Sequence, residues 1–94
     1  MTLEEAVKNM LCNCGMFERQ AEAVSKAMKA DEANAAMEDR WNDNVEDYPP
    51  VMMALMWMSA KHHALQYIDE NCPNAWFRPL FAEDAPMPPI EKQA

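Results

Sequence analysis

Apolar residues recur every three or four positions through the first thirty residues, a spacing typical of amphipathic helices. Thr2 with Glu5 forms a capping-box pattern, and Gly15 supplies the left-handed position that often ends a helix, so the sequence predicts a helix over 3–13. The pattern resumes at once and predicts a second helix over 16–29. The first apolar stripe contains Leu3, Ala6, Val7, Met10 and Cys14, and the second contains Phe17, Ala21, Val24 and Met28.

The second helix cannot continue unbroken into the next apolar residues. If it did, Met37 and Trp41 would lie nearly opposite its stripe. A break near Asp31, which is an acceptable N-cap, brings them back towards a common core and predicts a short third helix over 32–41. The following segment, NDNVEDYPP, has the turn-forming residues of the principal loop.

The segment VMMALMWMSAKHHALQYI, residues 51–68, predicts a fourth helix over 50–70 that is apolar on two faces. Such a pattern favours a central helix packed on both sides. We expect Met53, Met56 and Met58 in the core and Met52 as the most exposed of these methionines. One apolar cluster contains Val51, Ala54, Leu55, Met58 and Leu65; the other contains Met53, Met56, Trp57, Ala60, Ala64, Tyr67 and Ile68; the polar strip between them contains Ser59, His63, Gln66 and Glu70.

The C-terminal part divides into an aromatic segment and a proline-rich one. Trp76, Phe77 and Phe81 are too apolar for a free tail and are expected to fold back over the core. The sequence thus predicts an all-α fold, a compact four-helix domain over 1–82 with a central hydrophobic helix and an aromatic C-terminal wrap. Residues 83–94 have the composition of a flexible tail.

The formal net charge of −8 limits the classes of partner. An acidic surface repels phosphate, which argues against direct binding of nucleic acid or of an anionic membrane. The apolar run over 51–58 is shorter than the ~20 residues that span a bilayer. Since the opening residues, MTLEEAVKNM, are acidic and amphipathic, we expect a soluble cytoplasmic protein whose partner is a protein with a basic surface.

Most of the acidity lies in residues 31–48, hereafter the acidic segment, where seven carboxylates accompany Arg40 alone. One interpretation is a solvated helix face and loop, and the other is a docking surface for a basic protein. Two aromatic residues bracket the charges, which is typical of interface hot spots. The candidate partner-binding residues are Glu38, Asp39, Trp41, Asp43, Glu46, Asp47 and Tyr48.

Cysteine and histidine spacing does not favour a metal site, and we expect no cofactor. Cys12 and Cys14 would diverge on a helix, as would the adjacent His62 and His63. We expect Cys14 in the core and Cys12 as a partly exposed thiol. His62 is expected at the core edge and His63 in solvent. No nucleophile pattern accompanies either histidine, so the sequence predicts no enzyme.

Three segments, GMFERQAEAV, RWNDNVEDYPP and WMSAKHHALQYIDENCPNAWFRP, resemble small acidic proteins of unassigned function from phages and other mobile elements. The resemblance covers roughly residues 15–80 and carries no functional residue with it. It implies a protein that binds a host protein, with an acidic surface that mimics the charge of DNA in a basic nucleic-acid-binding cleft.

The leading hypothesis is therefore a non-enzymatic protein-interaction module, an inhibitor or regulator that acts through the acidic segment. Two alternatives remain open. One is a metal- or redox-responsive protein that uses Cys12, Cys14 and Cys72. The other is a structural homo-oligomer in which the spare apolar face of the fourth helix forms a homodimer seam.

Overall fold

Three helices of more than two turns account for most of the fold, and a computed structural model describes residues 1–90, apart from the side chain of Ala36. The predicted all-α class is confirmed, whereas the predicted four-helix arrangement is wrong, because the third helix is a single turn. The helices are α1 Leu3–Asn13, α2 Glu18–Ala30, α3 Ala35–Glu38 and α4 Pro50–Asn71, and the 3-10 turns are Glu32–Asn34, Val45–Asp47 and Arg78–Phe81.

The two ends of α1 follow from the residues that flank it. The backbone N–H of Glu5 donates to the Thr2 hydroxyl at 3.2 Å, and the backbone N–H of Thr2 donates to the Glu5 carboxylate at 3.3 Å. These bonds complete the predicted capping box. Gly15 has a φ of +109°, and a Cβ added there would lie 2.6 Å from Cζ2 of Trp76. Glycine is therefore required at this turn by backbone conformation and by the indole above it.

The region predicted as a third helix over 32–41 is instead a chain of short turns. Asp31 caps the first turn as expected, because its carboxylate accepts from the N–H of Ala33 at 2.9 Å. The Asn34 side chain donates to the carbonyl of Met28 at 2.8 Å. Asn and Asp side chains that bond nearby backbone groups compete with helix formation, which explains why a 3-10 turn comes first and α3 begins only at Ala35.

The core forms where the α1–α2 hairpin packs against one face of α4. The stripes predicted for the first two helices are buried, except that Phe17 is 71% exposed because it precedes α2. Met37 and Trp41 are buried, as the proposed break at Asp31 requires. The buried residues of α4 are Met56, Trp57, Ala60, Lys61, His63, Ala64 and Ile68.

The predicted burial of α4 on both faces is wrong. Val51, Leu55 and Met58 are 65%, 50% and 60% exposed, because no other part of residues 1–90 covers that face. Among the methionines, Met56 is buried as expected and Met53 is half-buried. The prediction that Met52 is the most exposed and Met58 is in the core is wrong, because Met58 is exposed and Met52 is half-buried. Neither α4 nor any other helix within the described residues is long and apolar enough to cross a membrane.

The aromatic wrap forms in part. Phe77 and Phe81 are buried as expected, whereas Trp76 is 73% exposed even though its ring lies over Gly15. The ring of Phe81 packs against that of Trp57 with centroids 6.1 Å apart. These contacts fix the 3-10 turn Arg78–Phe81 on the end of α4.

Residues 83–90, predicted as part of a flexible tail, are bound to the helices. The indole N–H of Trp57 donates to the carbonyl of Ala85 at 3.0 Å. Lys61 donates to the carbonyls of Glu83 and Ala85 at 2.6 and 3.2 Å. Asn13 donates to the carbonyl of Pro89 at 3.3 Å. The remainder of the predicted tail, residues 91–94, lies outside the described residues.

Candidate interaction surfaces

The acidic segment presents its predicted carboxylates to solvent. They lie between the end of α3 and the 3-10 turn before α4, where short turns and local side-chain bonds replace a continuous helix. Arg40, the basic residue of the segment, is exposed among them. The exposed carboxylate residues are Glu38, Asp39, Asp43, Glu46 and Asp47. A concentration of exposed negative charge on a protein of net charge −8 gives this side of the molecule a strongly negative potential.

The two aromatic residues assigned to the same site do not lie on its surface. Trp41 is 2% and Tyr48 9% exposed, because both side chains pack into the hydrophobic core. The Tyr48 hydroxyl donates to the carbonyl of Arg40. Burial raises the pKa of Tyr48, and the nearby Asp43 carboxylate adds to the increase. Their assignment as partner-binding residues stays a prediction that this burial does not support, and the two side chains hold the acidic segment from beneath.

Backbone hydrogen bonds also fasten the acidic segment to the start of α1. The N–H of Leu3 donates to the carbonyl of Asp43 at 3.0 Å, and the N–H of Val45 donates to the carbonyl of Met1 at 3.0 Å. Thr2 and Asn44 form an isolated antiparallel bridge between these bonds. The charged loop is therefore fixed to the fold at several points.

The polar strip of α4 binds the start of the acidic segment. His63 Nε2 lies 2.8 Å from the Asp31 carboxylate, and the Ser59 hydroxyl donates to the Asn34 side chain at 2.9 Å. The N–H of Ala33 lowers the pKa of Asp31, and the hydrogen bond with His63 lowers it further. The expectation of a solvated His63 is wrong, because the polar strip meets the chain that leaves α2 instead of water.

The prediction that His62 lies at the core edge is also wrong. This residue is exposed and lies on the open face of α4, in edge contact with the ring of His63 at a centroid distance of 5.4 Å. The helix therefore directs one histidine into the protein and the other outwards.

The open face of α4 is a second candidate surface, which the sequence raised only as the homodimer seam of the homo-oligomer alternative. We call it the α4 stripe. The sequence signal was present, because four of its five residues belong to one of the two apolar clusters, but the leading interpretation assigned that cluster to the core. Exposed apolar residues that adjoin one another on a monomer are typical of interaction sites. The α4 stripe consists of Val51, Leu55, Met58, His62 and Leu65.

The three cysteines are free thiols that differ in burial. Cys14 is buried, and Cys12 and Cys72 are partly exposed. Burial raises the pKa of both Cys12 and Cys14, and the negative charge of Glu18 raises that of Cys12 further. A raised pKa leaves less thiolate at neutral pH. Nowhere in the described part of the chain do three metal-ligating side chains come together.

Comparison of the chain with protein-family models, curated proteins and solved structures finds no match. The resemblance to small acidic proteins of mobile elements therefore stays a prediction, and the functional argument depends on the two surfaces: one acidic and fixed to the fold, the other apolar and uncovered.

Proposed function

We propose that the protein is a non-enzymatic interaction module that presents the acidic segment to a basic surface of another protein. The observation that supports this function best is that exposed carboxylates lie on a loop held by buried residues and by backbone bonds to α1. A nucleic-acid-binding protein is the favoured class of partner, because its binding cleft carries the complementary charge. The module would then act as an inhibitor or regulator of that partner.

The fixed backbone is important because binding a mobile loop costs conformational entropy. Trp41 and Tyr48 anchor the acidic segment in the core, and Asp43 and Val45 are bonded to the chain before α1. Since the loop is already ordered, less of the interaction free energy is lost on association. A solvated loop that served solubility alone would not need this number of attachments.

Electrostatics would act mainly on the rate of encounter. A surface with a high density of one charge steers an oppositely charged partner and raises the association rate. The increase is largest at low ionic strength. The complex should therefore weaken steeply as ionic strength rises. A basic cleft that normally binds DNA should also release the protein when duplex DNA is added.

The test is affinity capture from a cell lysate, followed by binding measurements with each captured protein at low and physiological salt. The test variant combines Asp39→Asn, Asp43→Asn, Glu46→Gln and Asp47→Asn. The matched control removes four carboxylates elsewhere, with Glu4→Gln, Glu18→Gln, Glu70→Gln and Asp84→Asn. We expect the test variant to bind a genuine partner at least about tenfold more weakly, and the control to bind nearly as the unmodified protein does.

Competition with duplex DNA completes the experiment. A captured partner that binds DNA and is displaced by it supports the proposal. Capture that is equally strong for the test variant, or equally weakened in both variants, would show that the acidic segment contributes only general charge. In that case its role is solubility.

A further inference from the structure

The residues of the α4 stripe recur at spacings of four, three, four and three. These are the spacings of the core positions of a coiled coil, where a helix meets a second helix along one seam. The stripe from Val51 to Leu65 is about 21 Å long at the rise of an α-helix. Val51, Leu55 and Met58 are at least half exposed along it. The geometry is thus that of a helix seam without its partner.

The charge distribution identifies which partner suits the seam. From Tyr48 to Ile68 the chain has no carboxylate, although the whole protein carries sixteen. Lys61, the nearby lysine, is directed to the carbonyls of Glu83 and Ala85. Along the stripe itself a basic helix would find no carboxylate to pair with, and the acidic residue beside it is Glu83 of the adjoining groove. A second copy of this acidic chain is repelled at most other surfaces. Along the stripe it meets no negative charge that would repel it.

A groove beside the stripe supplies the complementary shape. It has a volume of about 380 Å³ and lies between α4 and the turn that follows Arg78–Phe81. Coiled-coil contacts require such a depression, because each side chain of one helix fits between side chains of the other. The groove is lined by Met58, Lys61, His62, Leu65, Phe81 and Glu83. It can therefore receive an aliphatic side chain from the stripe of a second copy.

The position of the acidic segment determines the relative direction of the two helices. The segment immediately precedes α4, so a parallel pair would place two acidic segments side by side. In an antiparallel pair with Met58 at the two-fold axis they lie on opposite sides of that axis, with the two Pro50 positions about 24 Å apart along the helices. We propose that the protein forms an antiparallel homodimer through the α4 stripe. This proposal is independent of the function assigned to the acidic segment.

Light scattering of the purified full-length protein over a wide concentration range tests the dimer. We expect the mass to rise from 10.8 kDa towards twice that value. The variant Leu55→Glu with Met58→Glu should remain a monomer with unchanged helical circular dichroism, because two carboxylates per copy would face each other in the seam. The matched control, Ala27→Glu with Ala30→Glu, adds the same charges at the same spacing on the exposed side of α2 and should still dimerise.

A monomer at every concentration would overturn the proposal, and the stripe would then have to serve a different protein. An unchanged dimer in the Leu55→Glu, Met58→Glu variant would also overturn it. Equal loss of the dimer in both double variants would show that net charge controls assembly, whatever face is involved.

Cysteine cross-linking tests the direction of the helices. In a chain whose three native cysteines are replaced by alanine, Met58→Cys lies near the expected two-fold axis and should form an intermolecular disulfide. Val51→Cys should not, because two copies of it would be far beyond the ~7 Å Cα separation that a disulfide allows. Efficient cross-linking of Val51→Cys would indicate parallel helices and overturn the antiparallel arrangement.

Discussion

The two apolar faces of α4 have similar composition and opposite environments. One face contains Met56, Trp57 and Ile68, which are buried against the other helices and the C-terminal turn. The other contains Leu55 and Met58, which are at least half exposed. The comparison shows that the periodic spacing of apolar residues indicates which side of a helix is suited to burial. It does not show whether the same chain supplies the residues that cover it.

The largest expected difference between the faces is in stability. Ile68→Ala should lower the free energy of unfolding by about 2–5 kcal/mol, because it leaves a cavity among fully buried neighbours. Leu55→Ala should change it by less than about 0.5 kcal/mol, because the side chain is half exposed. Urea denaturation of both variants, at a concentration where each is a monomer, measures the contrast. Similar losses in the two variants would mean that Leu55 is covered in solution.

A smaller difference is expected between two tryptophans. Trp57→Phe removes the N–H that donates to Ala85 and should cost about 1 kcal/mol. Backbone amides near Ala85 should then exchange their hydrogens faster. Trp76→Phe is the matched control, and because Trp76 is 73% exposed it should cost less than about 0.5 kcal/mol. If exchange near Ala85 stays unchanged in Trp57→Phe, the C-terminal segment is held mainly by Lys61.

The adjacent residues His62 and His63 lie on the open and the buried side of α4, so the same substitution at each tests the comparison between the two sides. His63→Ala should lower the melting temperature, because it removes the partner of Asp31 from a buried position on α4. His62→Ala should leave the melting temperature of the monomer unchanged, because its ring is exposed. Thermal denaturation followed by circular dichroism separates the two. Equal effects would contradict the division of α4 into a buried and an open side.

The smallest effect concerns acid pH. The Ala33 N–H and His63 lower the pKa of Asp31 in the folded state, so this carboxylate stabilises the fold above its unfolded pKa of about 4. The contribution is lost as the pH falls through the folded pKa. The stability difference between the unmodified protein and Asp31→Asn should therefore shrink as the pH is lowered from 5 towards 2. Urea titrations across that range measure it, and a constant difference would contradict the role of the Asp31 charge.

The bounds of the long helices could be predicted because local signals determine them. The Thr2 and Glu5 side chains fix the start of α1, and Pro50 fixes the start of α4. The length of the third helix could not be predicted in this way. Its start at Ala35 depends on the bonds of the preceding Asn34 side chain, which contacts both Met28 and Ser59. A tertiary contact of this kind has no local signature.

For the candidate surfaces too, tertiary contacts could not be predicted from local sequence. Exposure of the acidic carboxylates follows from their charge, since carboxylates are rarely fully buried. The environment of Trp41 and Tyr48 depends on how the loop is attached to α1, and that attachment uses backbone groups. For His63 the polar strip indicated solvent, whereas polar side chains on a helix also serve to bind another segment. The sequence thus indicates which groups are polar and leaves their partners open.

The exposed indole over Gly15 has a spectroscopic consequence. Trp41 and Trp57 are buried, whereas Trp76 is 73% exposed. The intrinsic fluorescence of the protein therefore combines two shielded emitters with one that collisional quenchers in solution can reach. Because Trp76 lies over the turn between α1 and α2 and belongs to the C-terminal wrap, its emission reports whether these distant parts of the chain are in contact.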